Sequence, residues 1–180
     1  MPTAHEIKVR LRDIRQLFNS MDPSPFHEKD LDHDAEEFIV GWAREFPRDA
    51  HVSLVITLDE PPLDADPSAS VGEAVRNYFE YQSQVKGREF RDLMRRGRAS
   101  LFIGLVALAL CITAHIELER LFGESAAVQV IGESLLIAGW VAMWRPIEIF
   151  LYDWWPIRNA RRLFERLSRM PVRVELRQPR

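Results

Sequence analysis

One carboxylate and one imidazole stand inside the two long uncharged runs of this chain. Glu133 interrupts the stretch from Ser125 to Trp144, and His115 interrupts that from Ala99 to Ile116. Within a membrane-length run a carboxylate costs about 2.5–3.5 kcal/mol on the lenient insertion scale, and it ordinarily faces other helices or water. With a turn near Glu124, the two residues are equidistant from the tip in sequence and are expected at one depth. Such a pair suits proton-responsive chemistry, or a ring of carboxylates lining a small pore in an oligomer. It also suits a polar clamp that fixes hairpin register, or a neutral protonated Glu, and this reading is favoured because intramembrane polar groups commonly act as packing glue.

A second cluster, from His27 to Glu37, has the residue types of a metal site. On the calcium-loop template Asp30, Asp32 and Asp34 match the first three ligands. Ala35 stands where the template needs glycine, and Gly41 where it needs the bidentate glutamate. His27 and His33 with Asp30 between them have the types for a transition metal, but the HExxH pattern is absent. Acids complementing the dipole of a helix N-terminus explain the cluster better. No Walker loop, GxGxxG, GxSxG or CxxC occurs, and the eight glycines do not cluster. The chain is therefore read as non-enzymatic, with no bound cofactor. Lys8, Arg10, Arg12, Arg173 and Arg177 have the charge for an anionic ligand or RNA. Without interleaved aromatics a solvated strand face is the stronger reading, and no nucleic-acid partner is expected.

The elements that must position these residues follow from hydropathy. Each uncharged run has the roughly 18–25 residues that a helix needs to cross hydrocarbon, where it satisfies its own backbone. Together they predict a two-span helical hairpin. Small residues thin both spans: Gly104 and Cys111 in the first, and Ser125, Gly132 and Gly139 at seven-residue spacing in the second. They permit close helix approach, within the hairpin or between copies, and a homo-oligomer is expected. Arg91, Arg95, Arg96 and Arg98 precede the first span, and Arg145, Arg158, Arg161 and Arg162 follow the second. The intervening tip is acidic, so both termini are expected on the cytoplasmic side. Trp144, Tyr152, Trp154 and Trp155 suit an aromatic belt at that interface. The N-terminus lacks the apolar core of a signal peptide, so delivery to the membrane is expected to rest on the hairpin. The single cysteine, Cys111, excludes a disulfide framework.

Outside the hairpin, three segments alternate as half-buried strands do: Ile7–Val9–Leu11, Val52–Leu54–Ile56–Leu58 and Val172–Val174–Leu176. They are expected to join in one small sheet. A helix over about 34–46 should cover it through Phe38, Trp42 and Phe46 with Ile39 beside them, starting at Asp34 with Glu37 three residues on. Apolar residues return at helical spacing from Val71 onward with no proline before the first span. This predicts one helix to about Leu121, whose first part is an amphipathic stalk in need of a partner surface. Pro146 and Pro156 bracket an aromatic segment, and beyond it a basic amphipathic helix would lie on anionic lipid or on the sheet domain.

The net charge of −3 and mean hydropathy of −0.19 conceal this organisation. Residues 1–98 hold 19 acids against 14 Lys and Arg, whereas residues 145–180 hold 9 arginines against 4 acids. The expected fold is an α+β membrane protein. It comprises a cytosolic domain (1–68), a stalk (69–98), spans at 99–122 and 126–145 around a turn at 123–125, an interfacial segment (146–170) and a returning strand (171–180). The expected function is a non-enzymatic scaffold or adaptor of a bacterial inner membrane, with lipid, copies of itself and a cytosolic or membrane protein as partners. A small ion channel or proton-coupled component using Glu133 and His115 is the alternative. A membrane-tethered metal-dependent enzyme or regulator is the third.

Overall fold

A computed structural model describes residues 5–25, 29–47, 50–60, 66–123 and 125–177. The chain divides into two compact units, Met1–Lys86 with Asn159–Arg180, and Gly87–Arg158. The class is α+β: a three-stranded parallel sheet together with long apolar helices.

The first unit is built on β1 (His5–Leu11), β2 (Val52–Leu58) and β3 (Val172–Leu176). All three lie where the alternation predicts them. Their order is β1-β2-β3 and both pairings are parallel, with Ile7 opposite Leu54 and Ile56 opposite Val174. Parallel neighbours require crossover connections. The first crossover carries a 3-10 turn (Ile14–Leu17) and helix α1 (His33–Glu45). The second carries everything else: α2 (Pro67–Phe122), α3 (Ala126–Glu148) and α4 (Trp154–Leu167).

One face of the sheet supplies Ile7, Leu54, Ile56 and Leu58 to the core. Onto it pack Ile39 and Ala43 of α1, Val71, Val75 and Phe79 of α2, and Phe164 and Leu167 of α4. Phe79 and Phe164 stack with ring centroids 6.1 Å apart, joining two helices that are remote in sequence. The Tyr78 hydroxyl donates to Glu36 Oε2 at 2.8 Å, tying α2 to α1. Burial, reinforced by the Glu36 carboxylate, pushes the Tyr78 phenol up from its ordinary range.

Two expectations are corrected here. The buried face of α1 is Ile39, Val40 and Ala43, whereas Phe38 and Trp42 remain 43% and 46% exposed. Small and branched side chains let the helix backbone approach the sheet, and the larger aromatics are left on the flank. The cap of α1 is Asp32, which accepts from the Asp34 N–H at 3.1 Å, not Asp34 itself. The first part of α2 has the partner surface its amphipathic pattern requires: Val71, Ala74, Val75 and Phe79 lie in the core of the sheet unit. Of the two placements open to the basic helix, α4 takes the sheet, with Phe164 and Leu167 buried there.

Asp59, just beyond β2, fastens the sheet's end. It accepts from Arg10 of β1 at 3.1 and 3.2 Å and from Arg177 beyond β3 at 3.3 Å. The Arg10 hydrogen bond, then that of Arg177, holds the carboxyl below its ordinary 3.8. A depressed carboxyl contributes stability above its unfolded value and loses it as pH falls through the lower folded value. The thermal midpoint of the sheet unit should therefore drop as pH falls below 3.8. Asp59→Asn should lower the midpoint at neutral pH and flatten that acid limb. An unaltered limb in the variant would remove Asp59 from the account.

In the second unit, α2 ends at Gly123, whose φ of +68° suits glycine and whose N–H donates to Glu119 O at 3.0 Å. Ser125 caps α3 by accepting from the Val128 N–H at 3.3 Å. Pro146 lies inside α3 rather than ending it, and a π turn follows at Ile149–Asp153. A proline leaves the carbonyl four residues earlier without its donor. That carbonyl, Ala142 O, lies 3.0 Å from where a Cβ on Gly104 would stand. Wider turns of this kind absorb such irregularities. Two helical stretches, Pro67–Phe122 and Ala126–Leu167, are long and apolar enough to cross a membrane. Their most apolar windows have mean hydropathies of 2.2 and 1.6, yet only 6% and 17% of those windows is buried.

Candidate functional site

Helices α2 and α3 meet along their small residues. A Cβ added to Gly132 would run into the His115 imidazole, and one added to Gly139 would meet Leu108 Cδ1 at 2.8 Å and Cys111 Cβ at 3.3 Å. Gly104 lies against Ala142 O and Met143 Sδ in the same way. Gly104, Cys111, Gly132 and Gly139 thus line one seam inside the hairpin. Ser125 has a different task at the α3 N-terminus, where it satisfies a backbone donor.

His115 and Glu133 are not joined. The imidazole sits over Gly132, with Nε2 3.6 Å from Glu119 Oε1 one turn along α2. Its Nδ1 is buried without a hydrogen-bond partner. Glu133 is exposed, with no hydrogen bond or ion pair among the described residues. Equal depth does not bring two side chains together unless both also share a helix face. Glu119, the partner that sequence reasoning missed, carries the i+4 signal that could have found it.

The aromatic and basic segment after α3 is internally bonded. Trp144 Nε1 donates to Glu148 Oε1 at 2.9 Å, and Arg145 reaches Glu148 at 3.1 Å and Asp153 at 3.4 Å. Trp154 Nε1 donates to Phe150 O at 2.9 Å, while the Arg158 guanidinium stands 5.4 Å from the Trp154 ring centre. Trp144, Tyr152 and Trp155 are exposed. Arg161 pairs with Glu165 at 2.8 Å.

The acidic stretch before α1 organises backbone. Asp22 accepts from the Asp30 N–H at 2.7 Å and the Ser24 N–H at 2.9 Å. These bonds, that of Asp30 foremost, hold its carboxyl below the ordinary range. His33 begins α1 directly after the Asp32 cap. Among the described residues no three His, Cys, Asp or Glu side chains gather to hold a metal ion. His27 lies outside the described residues.

Sequence reasoning overlooked a cavity of about 500 Å³ in the sheet unit, lined by Arg162, Arg166, Arg169, Arg173 and His51. Its arginines come from α4, the turn after it, and β3. The basic spacing on α4 was visible, but the convergence with β3 required the fold. The outer strand face is otherwise neutralised: Lys8 pairs with Glu6, Arg10 and Arg177 with Asp59, and Arg12 with Glu60.

Neither the hairpin seam nor the arginine cavity can be interpreted through a relative, since the chain matches no protein-family model, no curated protein and no solved structure.

Proposed function

We propose that this chain is a two-span membrane protein that associates with copies of itself and presents its sheet unit to a protein partner, without catalysing a reaction. The observation that carries this reading is the outward-facing apolar surface of α2 and α3. Phe102, Ile103, Leu110, Ile137, Trp140 and Val141 are all at least half exposed. Soluble monomers rarely expose contiguous apolar patches beyond about 300–600 Å², and lipid is the solvent that suits this surface. Arginines flanking the spans support an arrangement with both termini in the cytoplasm of a bacterial cell.

Glu133 supports self-association. An unpaired carboxylate on the outer face of α3, at a cost of about 2.5–3.5 kcal/mol in lipid, gains from a polar group supplied by another copy. Full-length protein should sediment with membranes, resist carbonate extraction and give higher-order species by native mass spectrometry in mild detergent. Glu133→Leu should weaken association several-fold, in line with about 1 kcal/mol per intramembrane polar contact. Detergent-free recovery in the soluble fraction would end the membrane reading, and a monomeric wild type would end the assembly reading. The same carboxylate favours a second reading, a small channel lined by Glu133 in the oligomer. Unchanged proton and cation flux in liposomes for an assembled Glu133→Gln variant would remove it.

A further inference from the structure

Three unpaired cations of the sheet unit converge in one place. Arg162, Arg169 and Arg173 have no ion pair among the described residues, and all three line the 500 Å³ cavity. The two carboxylates on its wall are already engaged, Glu165 by Arg161 at 2.8 Å and Glu6 by Lys8 at 3.3 Å. Arg166 forms the deeper wall. Its guanidinium donates to Pro47 O at 2.8 Å and to Ala43 O, and its buried Nε has no acceptor. Burial lowers the Arg166 pKa from its ordinary value, the direction expected of a cation desolvated without a compensating anion.

Helix dipoles account for only part of this. Arg166 reaches carbonyls at the end of α1, and Arg169 follows the end of α4, where cations are favoured. Arg162 lies well before that end, and Arg173 is on a strand. Neither has a dipole to complement. Convergent guanidinium groups instead match an anion with several oxygens and more than one charge, as phosphate presents. The volume falls within the range of small-molecule sites, about 300–1,000 Å³.

We propose that this cavity binds a phosphate-bearing anion between Arg162, Arg166, Arg169 and Arg173. A soluble small molecule and a lipid headgroup both present such a phosphate, and the chemistry of capture is the same. The site draws on residues of the sheet unit alone and does not depend on the membrane reading.

The test uses purified full-length protein in a non-ionic detergent, with two probes. Calorimetric titration with inorganic pyrophosphate reports the soluble source. Retention of phosphatidylglycerol over phosphatidylcholine in native mass spectrometry reports the lipid source. Arg169→Gln with Arg173→Gln removes two cations that hold nothing else together, so folding should persist. Arg44→Gln with Arg76→Gln removes the same charge from exposed positions outside the cavity that have no ion pair among the described residues. Wild type should bind at least one probe. The cavity variant should bind it about a hundredfold more weakly, about tenfold for each guanidinium replaced, and the control pair should bind like wild type. Pyrophosphate binding assigns a soluble ligand, and selective lipid retention assigns a headgroup. Failure of wild type to bind either probe overturns the proposal, as does equal weakening in the two variant pairs.

Discussion

Phe79→Ala is expected to remove about 3–5 kcal/mol from the sheet unit, a large share of the roughly 5–15 kcal/mol that holds a domain folded. The ring is fully buried, stacked on Phe164 and edge-on to Tyr78 at 5.4 Å. Truncation leaves a cavity where α2, α4 and the sheet meet, and deletes an aromatic pair worth about 0.5–1.5 kcal/mol beyond its buried area. Hydrogen exchange should show β1 and β2 losing protection while the hairpin helices, in the other compact unit, keep theirs. A variant within about 1 kcal/mol of wild type would mean that Phe79 does not hold the core together.

Gly132→Leu is the second large effect. Gly132 is buried in α3 and the His115 ring occupies the space a side chain would need. A leucine must expel the imidazole or separate the helices, at about 1–3 kcal/mol for overpacking. Unfolding in rising sodium dodecyl sulfate, followed by helical circular dichroism, should begin at lower denaturant fraction. Pairing Gly132→Leu with His115→Ala should restore much of the stability, because the smaller residue vacates the contested space. No rescue in the double variant would show that this packing is not what the leucine disrupts.

The strands were legible, β1 to within two residues at its start, because a sheet with one buried face writes a two-residue period into its sequence. Ile7, Val9 and Leu11 could belong to nothing else once Lys8 and Arg10 faced outward. The membrane-length runs were legible for a cruder reason, sheer apolar length. Rotation about a helix axis was harder to see. Gly132 faces His115, and its neighbour Glu133 is turned by roughly 100° at 3.6 residues per turn, so equal depth left the pair apart. The same limit blurred the buried face of α1: Ile39 was legible, but Phe38 and Trp42 outweigh Val40 and Ala43 in hydrophobic bulk and not in fit. The arginine cavity assembles residues from α4, its following turn and β3 around the start of β2, and only the parallel register brings them together.

The parallel sheet also fixes an order of events during synthesis. On the ribosome, β1 and β2 emerge first, then both apolar helices, and only afterwards the five residues of β3. Until those last residues arrive, the Leu54–Leu58 edge of β2 stands open, and open edges template aggregation. A nascent chain halted just before Val172 therefore carries a complete hairpin and an unfinished sheet.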